Sequence, residues 1–332
     1  MPSATTLALT PERLFAAAPL WVLLGLLVAT VGGALLLPVL RRLQLRQQAY
    51  EDAPKTHAVK SGTPTMGGLV FIFTMIVVAL GTHAPLMFEL ALLVIGCGAI
   101  GLLDDALGIA LGRNRGLKAR TKFLATAVVA IIFLRMVAAS PAFFSRNVLF
   151  HAGSWVLTGP YWLWLILGAL AVTATIHAVN LTDGLDGLAA GTVVTPLAAF
   201  VAIASQTIVP AAAIGAAAGV GSCVGFLFYN RHPAKMFMGD TGSLALGALL
   251  SGVAILSGEM LLLIVIGGVF VAEALSVILQ VAYFKATGGK RILRMSPLHH
   301  HYELVGWPET KVTSRFWLAS LACSIVGLAI VR

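Results

Sequence analysis

The sequence predicts an all-α polytopic membrane protein with ten transmembrane helices, both termini periplasmic and its polar chemistry on the cytoplasmic face. Three observations carry this expectation. Hydrophobic residues fill 59% of the 332 positions and charged residues only 11%, against about 25% charged in a soluble domain. Apolar segments follow one another from residue 17 to residue 331, more apolar surface than one aqueous core can hide, so lipid is the natural solvent. The basic residues gather in alternate loops.

The spans read as roughly 17–40, 66–83, 86–103, 123–140, 161–179, 187–205, 208–228, 241–256, 260–284 and 316–331. Most approach the length of about 20 residues that a bilayer requires; 241–256 is short and is expected to start deeper or tilt. The first span is not a cleaved signal, because its basic pair, Arg41-Arg42, follows the apolar run. Of the nine loops, the odd-numbered ones hold 18 Lys and Arg and the even-numbered ones hold Arg146 alone. Lysine and arginine concentrate in cytoplasmic loops, so the odd loops are expected inside. The same rule accounts for the net charge of +9 with no nucleic acid as partner. Loop four, about 141–160, carries Val148, Phe150 and Val156 around Gly153-Ser154, the pattern of a short hairpin lying on the bilayer. Cys97, Cys223 and Cys323 each sit in an apolar segment and read as free thiols, with neither disulfide nor zinc spacing.

The odd loops also hold nine of the thirteen carboxylates: Glu51, Asp52, Asp104, Asp105, Asp183, Asp186, Asp240, Glu303 and Glu309. In loop three, the adjacent Asp104 and Asp105 repel each other at a membrane boundary. A divalent cation relieves this, and magnesium prefers one or two carboxylates plus phosphate oxygens; a solvated helix end fits the same pair. Loop five, Asn180 to Leu188, has two aspartates, three residues apart, two glycines and no cation. The aspartates share a face if the segment is helical, and glycine lets backbone approach a ligand; an Asx-rich turn is the plainer alternative. In loop seven, Asn230, Phe237 and Asp240 offer an amide, an aromatic face and a carboxylate, a set that suits a nucleobase. Asp240 also stands where a helix N-cap is expected.

Loop nine contains His299-His300-His301. Adjacent side chains rarely converge on one metal ion, which leaves phosphate binding or proton handling. In loop one, Lys60 to Gly68 sets a lysine, hydroxyls such as Thr65 and backbone amides before a helix, a plausible anion site that does not match a P-loop. Within the spans, Glu89 and Arg135 lie near outer ends, whereas Glu273 is central and invites a functional reading. His177 lies one turn before Asn180 and either faces the same cavity or packs with a hydrogen bond. A transporter would place its binding groups near the midplane with repeat symmetry; here the polar clusters share one face and no internal repeat is visible. A structural scaffold would not need five aspartates on short loops.

These residues resemble the bacterial phospho-N-acetylmuramoyl-pentapeptide transferases, a branch of the polyprenyl-phosphate hexosamine-1-phosphate transferase superfamily. The matching stretches are Gly62 to Gly68, Asp104-Asp105, Asn180 to Leu188, Asn230 to Ser243 and Pro297 to Glu303, and the similarity covers nearly the whole chain. The triple His behind Pro297-Leu298 points to the muramoyl-pentapeptide branch over the GlcNAc-1-phosphate transferases, which are the alternative. The resemblance implies one transferase domain over residues 1–332, in the cell inner membrane. It also implies transfer of phospho-MurNAc-pentapeptide from UDP-MurNAc-pentapeptide to undecaprenyl phosphate, giving lipid I and UMP, with Mg2+ required; a homodimer is compatible with it. By the same resemblance, Asp240 is the magnesium ligand, Asp104 and Asp105 are a catalytic pair and His299 is a catalytic histidine. Asn180, Asp183, Asp186, Asn230 and Phe237 belong to the nucleotide site, with Asp186 and Phe237 nearest the uracil. One departure stands out. The family usually follows its aspartate pair with an aromatic and then a basic residue, but this chain continues Ala106-Leu107-Gly108. The missing lysine leaves Arg113, Arg115, Lys118, Arg120 or Lys122 to supply its charge. The candidate phosphate contacts are Lys60, Thr65, Arg120, Lys122, His300 and His301.

Overall fold

A computed structural model describes residues 11–43, 62–111, 116–143, 147–206 and 209–331. Along them run α1 (Pro11–Arg42), α2 (Leu69–Gly81), α3 (Met87–Ala110), α4 (Ala119–Ala139), the strands β1 (Val148–Ala152) and β2 (Trp155–Thr158), α5 (Tyr161–Thr182), α6 (Leu188–Ala204), α7 (Pro210–Asn230), α8 (Gly239–Leu256), α9 (Leu263–Ile266), α10 (Gly268–Ala286), α11 (Leu298–Val305) and α12 (Glu309–Val331). Among the described residues, eight helices are long and apolar enough to cross a membrane, and α2 and α6 are shorter apolar helices. The chain is therefore an all-α, multi-pass membrane protein with one small hairpin.

Several boundaries differ from the sequence expectation, and the differences place the site. Helix α3 runs on to Ala110 because Ala106, Leu107, Ile109 and Ala110 sustain it, so Asp104 and Asp105 lie within a helix and not in a loop. Helix α5 extends to Thr182 and carries Asn180 in its last turn. The expected span 260–284 breaks at Gly267-Gly268 into α9 and α10, where paired glycines weaken the helix. Part of loop nine folds into α11, which carries the histidine run.

Helix α8 is the central post, with every residue from Thr241 to Leu256 buried. Small residues let its neighbours reach it. A Cβ on Gly101 of α3 would run into the backbone carbonyl of Asp240, and one on Gly68 would collide with Gly242. These approaches bring the aspartate pair and loop one to the first turn of α8. The loop-one backbone is pinned to loop seven: Gly67 N donates to Phe237 O (2.9 Å), Gly68 N to Met238 O (2.9 Å), and Phe237 N to Pro64 O (2.8 Å).

The hairpin forms as expected, with His151 opposite Val156 and Ala152 opposite Trp155. It is tied to the loop after α8: His151 N and Nδ1 donate to Glu259 Oε2 (3.1 Å) and Oε1 (2.6 Å), and Leu261 N donates to Leu149 O (3.2 Å). Burial pushes the Glu259 carboxyl above its ordinary range, against the opposite pull of the His151 bonds. A pKa raised in the folded state gives stability that is complete at low pH and is lost as pH rises through the folded value. Glu259→Gln, which cannot ionise, is expected to lose this contribution to the pH dependence of thermal unfolding. Glu259→Ala, which leaves the half-buried His151 donors without their acceptor, is expected to cost about 1 kcal/mol. A Gln variant that tracks the wild-type melting profile at every pH would contradict the assignment.

Candidate active site

The first turn of α8 is where the scattered polar segments meet. Asp240 stands at its second residue, and the cap comes from another helix. Asp105 of α3 accepts from Asp240 N at Oδ1 (3.1 Å) and from Thr241 N (3.0 Å) and Thr241 Oγ1 (2.6 Å) at Oδ2. Free N–H groups at a helix start need acceptors, and a carboxylate there also meets the positive end of the helix dipole. The N-cap role expected of Asp240 therefore belongs to Asp105, which leaves the Asp240 carboxylate available.

Asp240 faces Asp104 across one ammonium group. Lys122, in the first turn of α4, contacts Asp240 Oδ2 and lies 3.3 Å from Asp104 Oδ2. Asp104 Oδ1 accepts from Leu117 N at 2.7 Å. Asn180 donates through Nδ2 to Asp240 Oδ1 and to Ser243 Oγ, both at 2.8 Å, and so fixes the rotation of the carboxylate. His177 packs one turn below with its ring stacked on Phe123, and its Nε2 lies 3.0 Å from Thr126 Oγ1; it is the packed histidine of the two sequence readings. The Asp240 side chain keeps 24% exposure and Asp104 13%, so a ligand can reach both.

Loops five, seven and nine close the other side. Asp186 Oδ2 accepts from Ala234 N (3.0 Å) and pairs with His232 Nδ1 (3.0 Å), while Asp186 N donates to Glu309 Oε1 (2.6 Å). Among the described residues, Asp186, His232 and Glu309 are spaced as metal ligands could be, within 4.8 Å of one another. Asp186 Oδ2 already serves two donors, so the trio acts as a latch between loop five, loop seven and α12. Asn230 is buried and bridges the same loops: its Oδ1 accepts from Gly187 N (3.1 Å) and its Nδ2 donates to Met236 O (3.1 Å). Phe237 is partly exposed, with its backbone held by loop one, and Asp183 caps α5 half-buried. His299 is fully buried, and a Cβ on Gly184 of loop five would strike its Nε2. His300 Nδ1 lies 2.7 Å from Glu303 Oε2, and His301 Nδ1 accepts from Arg294 N (3.2 Å). Arg120 is exposed on α4. Lys60, Arg113 and Arg115 fall outside the described residues.

The donor set suits a hard cation. Asp104 and Asp240 already hold one positive group between them, and the Thr65 hydroxyl is buried beside Gly239 and Asp105 with no hydrogen-bond partner among the described residues. Carboxylate and hydroxyl oxygens are the ligands magnesium prefers. Lys122 appeared in the sequence as one of five substitutes for the lysine missing at Gly108, and the structure gives it alone, among the described candidates, an ion pair to the site carboxylates. His232 and Glu309 were not singled out as site residues. A signal was present in both, since each lies on an odd loop next to a segment that was.

The chain is also similar in sequence to known proteins. Residues 87–258 match Glycosyl transferase family 4, and residues 60–72 match the phospho-N-acetylmuramoyl-pentapeptide-transferase signature 1. The chain is 48% identical over 307 residues to a phospho-N-acetylmuramoyl-pentapeptide-transferase of Heliobacterium modesticaldum, covering 92% of this chain and 93% of that one. It is 42% identical over 320 residues to proteins of the same name from Bacillus pumilus and Bacillus subtilis, covering 93% of this chain and 96% of each.

Proposed function

This chain belongs to the phospho-N-acetylmuramoyl-pentapeptide-transferase family, and from that premise we propose that it moves phospho-MurNAc-pentapeptide from UDP-MurNAc-pentapeptide to undecaprenyl phosphate. The products are lipid I and UMP, and the reaction serves peptidoglycan synthesis. The observation that carries the reading is the meeting of five segments, distant in sequence, at one carboxylate-rich turn: loop one, α3, Asn180, loop seven and Lys122 come together over Phe237 to Thr241. The protein sits in the cytoplasmic membrane with ten spans and this face inward. The 18 basic residues of the odd loops support that orientation. So does the pairing of loops, since odd loops bond to odd loops and the hairpin of loop four bonds to loop eight.

Asp240 and Asp104 would hold Mg2+, and the ion would supply charge neutralisation for a diphosphate. The chain's own groups do the rest. Asn180 orients Asp240. Lys122 stands between the carboxylates and swings its ammonium to the substrate phosphates, taking the role of the lysine missing at Gly108. Phe237 and the Asp186 latch line the place for the uracil, where an aromatic face and an acceptor suit a base. The attacking lipid phosphate has a second pKa of about 6 and is mostly a dianion at neutral pH, so it needs little general-base help. An oxygen of that phosphate attacks the β-phosphorus, the bond to the bridging oxygen breaks, and UMP leaves. The rival route, through an aspartyl phosphate, is disfavoured at Asp105, which spends both oxygens on the start of α8.

A radiolabelled transfer assay in detergent tests the reading, with each nucleotide donor in turn and magnesium added or chelated. Lipid-linked product is expected from UDP-MurNAc-pentapeptide, lost on chelation and restored by Mg2+. Transfer from UDP-GlcNAc in its place would reassign the substrate. Phosphorylated Asp104 or Asp105, trapped without the lipid acceptor, would overturn the one-step route.

A further inference from the structure

Glu273 is a carboxylate in the body of α10 with no exposed surface. An ionisable group at such depth is costly unless it is paired or hydrogen-bonded. Among the described residues, its bonding partners are three N–H groups from one place. Leu298 N donates to Oε2 (2.8 Å), and His299 N (3.2 Å) and His299 Nδ1 (3.1 Å) meet at Oε1. Leu298 and His299 are the first two residues of α11, and Pro297 before them supplies no side-chain cap. Glu273 is thus the acceptor that this helix start requires, delivered from a different helix, and it also takes the proton side of the imidazole.

We propose that Glu273 is a positioning residue that holds His299 as the Nδ1–H tautomer and presents its bare Nε2 to loop five at Gly184. A carboxylate only accepts, so Nδ1 must donate to it, and in a neutral ring the other nitrogen then carries the lone pair. That Nε2 is buried and has no hydrogen-bond partner among the described residues. It abuts Gly184, where any Cβ would displace the ring. An unmatched buried acceptor is costly and calls for an explanation; Gly184 stands over it, and a hydrogen-bond donor brought in with the substrate would complete it. Gly184 lies between Asn180 and Asp186, so the lone pair is directed at the segment that carries the proposed nucleotide contacts. Gln280, two turns further along α10, grips only backbone: it accepts from Ile292 N and Leu293 N and donates to Leu293 O, all at 3.0 Å. The same helix thus anchors loop nine twice, and only the Glu273 anchor touches the histidine ring. The catalytic consequence rests on the transferase reading above, whereas the tautomer does not.

The experiment is ring-nitrogen NMR on full-length protein labelled with 15N-histidine, with His299 assigned by its loss in His299→Gln. The wild-type spectrum is expected to show a protonated Nδ1 and a bare Nε2 at His299. A wild-type His299 protonated on Nε2 alone would overturn the proposal without any variant. In Glu273→Gln the amide can donate to Nδ1, so the signal is expected to move toward the Nε2–H form. In the same variant kcat is expected to fall at least about tenfold, as for lost partners of ligating histidines, with KM for the nucleotide within about threefold. Gln280→Ala, which loosens the loop alone, is expected to keep the wild-type tautomer. An unchanged tautomer in Glu273→Gln, or a changed one with full kcat, would refute the positioning role. Wild-type protein with the expected tautomer and no transfer activity would instead refute the transferase reading.

Discussion

Asp240→Asn is expected to lower the transfer rate by about a hundredfold to a thousandfold, the scale of removing one principal electrostatic contact from a transition state. Asparagine keeps the volume and can still accept the Asn180 bond at its amide oxygen. The α8 start survives, because Asp105 caps it through the backbone of residue 240 and through Thr241. What disappears is the charge, so the loss should appear as a higher magnesium concentration for half-maximal rate, with an unchanged melting temperature. Initial rates measured across a magnesium titration check this. A variant with wild-type rate and wild-type magnesium dependence would remove Asp240 from the metal.

Lys122→Met is expected to separate two quantities that usually move together. The ammonium now shares Asp104 and Asp240 with any cation that binds there. Without it the two carboxylates face each other unscreened, and a divalent ion should bind more tightly. The maximal rate should nonetheless fall by about a hundredfold or more, because a positive group is lost beside the diphosphate. Lys122→Arg, which keeps the charge in a different geometry, should lie between. The titration reads both numbers in one experiment. A lower rate with unchanged magnesium affinity would mean that the ion and the lysine use different oxygens.

Much of this arrangement was legible from composition and spacing. Loop charge alone grouped Asp104, Asp105, Asn180, Asp186, Asp240 and His299 on one face, and the structure brings those segments together. The hairpin of loop four was readable from its alternation and turn residues. Division of labour among neighbours was less accessible. Nothing in the string Asp104-Asp105 says that one carboxylate caps α8 and the other faces Lys122, because the distinction is one step of helical rotation at a helix–helix contact. Asn230 reads as a base-binding amide, yet both ends of its side chain serve loop backbone. Glu273 announced itself as a buried charge, but its partner is 26 residues away in a loop whose helical start no local pattern specifies. Gly101 was read only as part of an apolar span, although its missing side chain is what lets α3 touch the Asp240 carbonyl.

Mn2+ as a paramagnetic substitute for magnesium gives the most direct view of whether one pocket holds both ion and nucleotide. Electron spin echo spectroscopy of the detergent-purified protein with Mn2+ and UDP should show one bound ion per chain coupled to phosphorus. Both the bound ion and the coupling should fall in Asp240→Asn at a Mn2+ concentration that just saturates the wild type. Manganese bound equally well by that variant, or bound with no phosphorus coupling in the wild type, would contradict a single cation and diphosphate site at the start of α8.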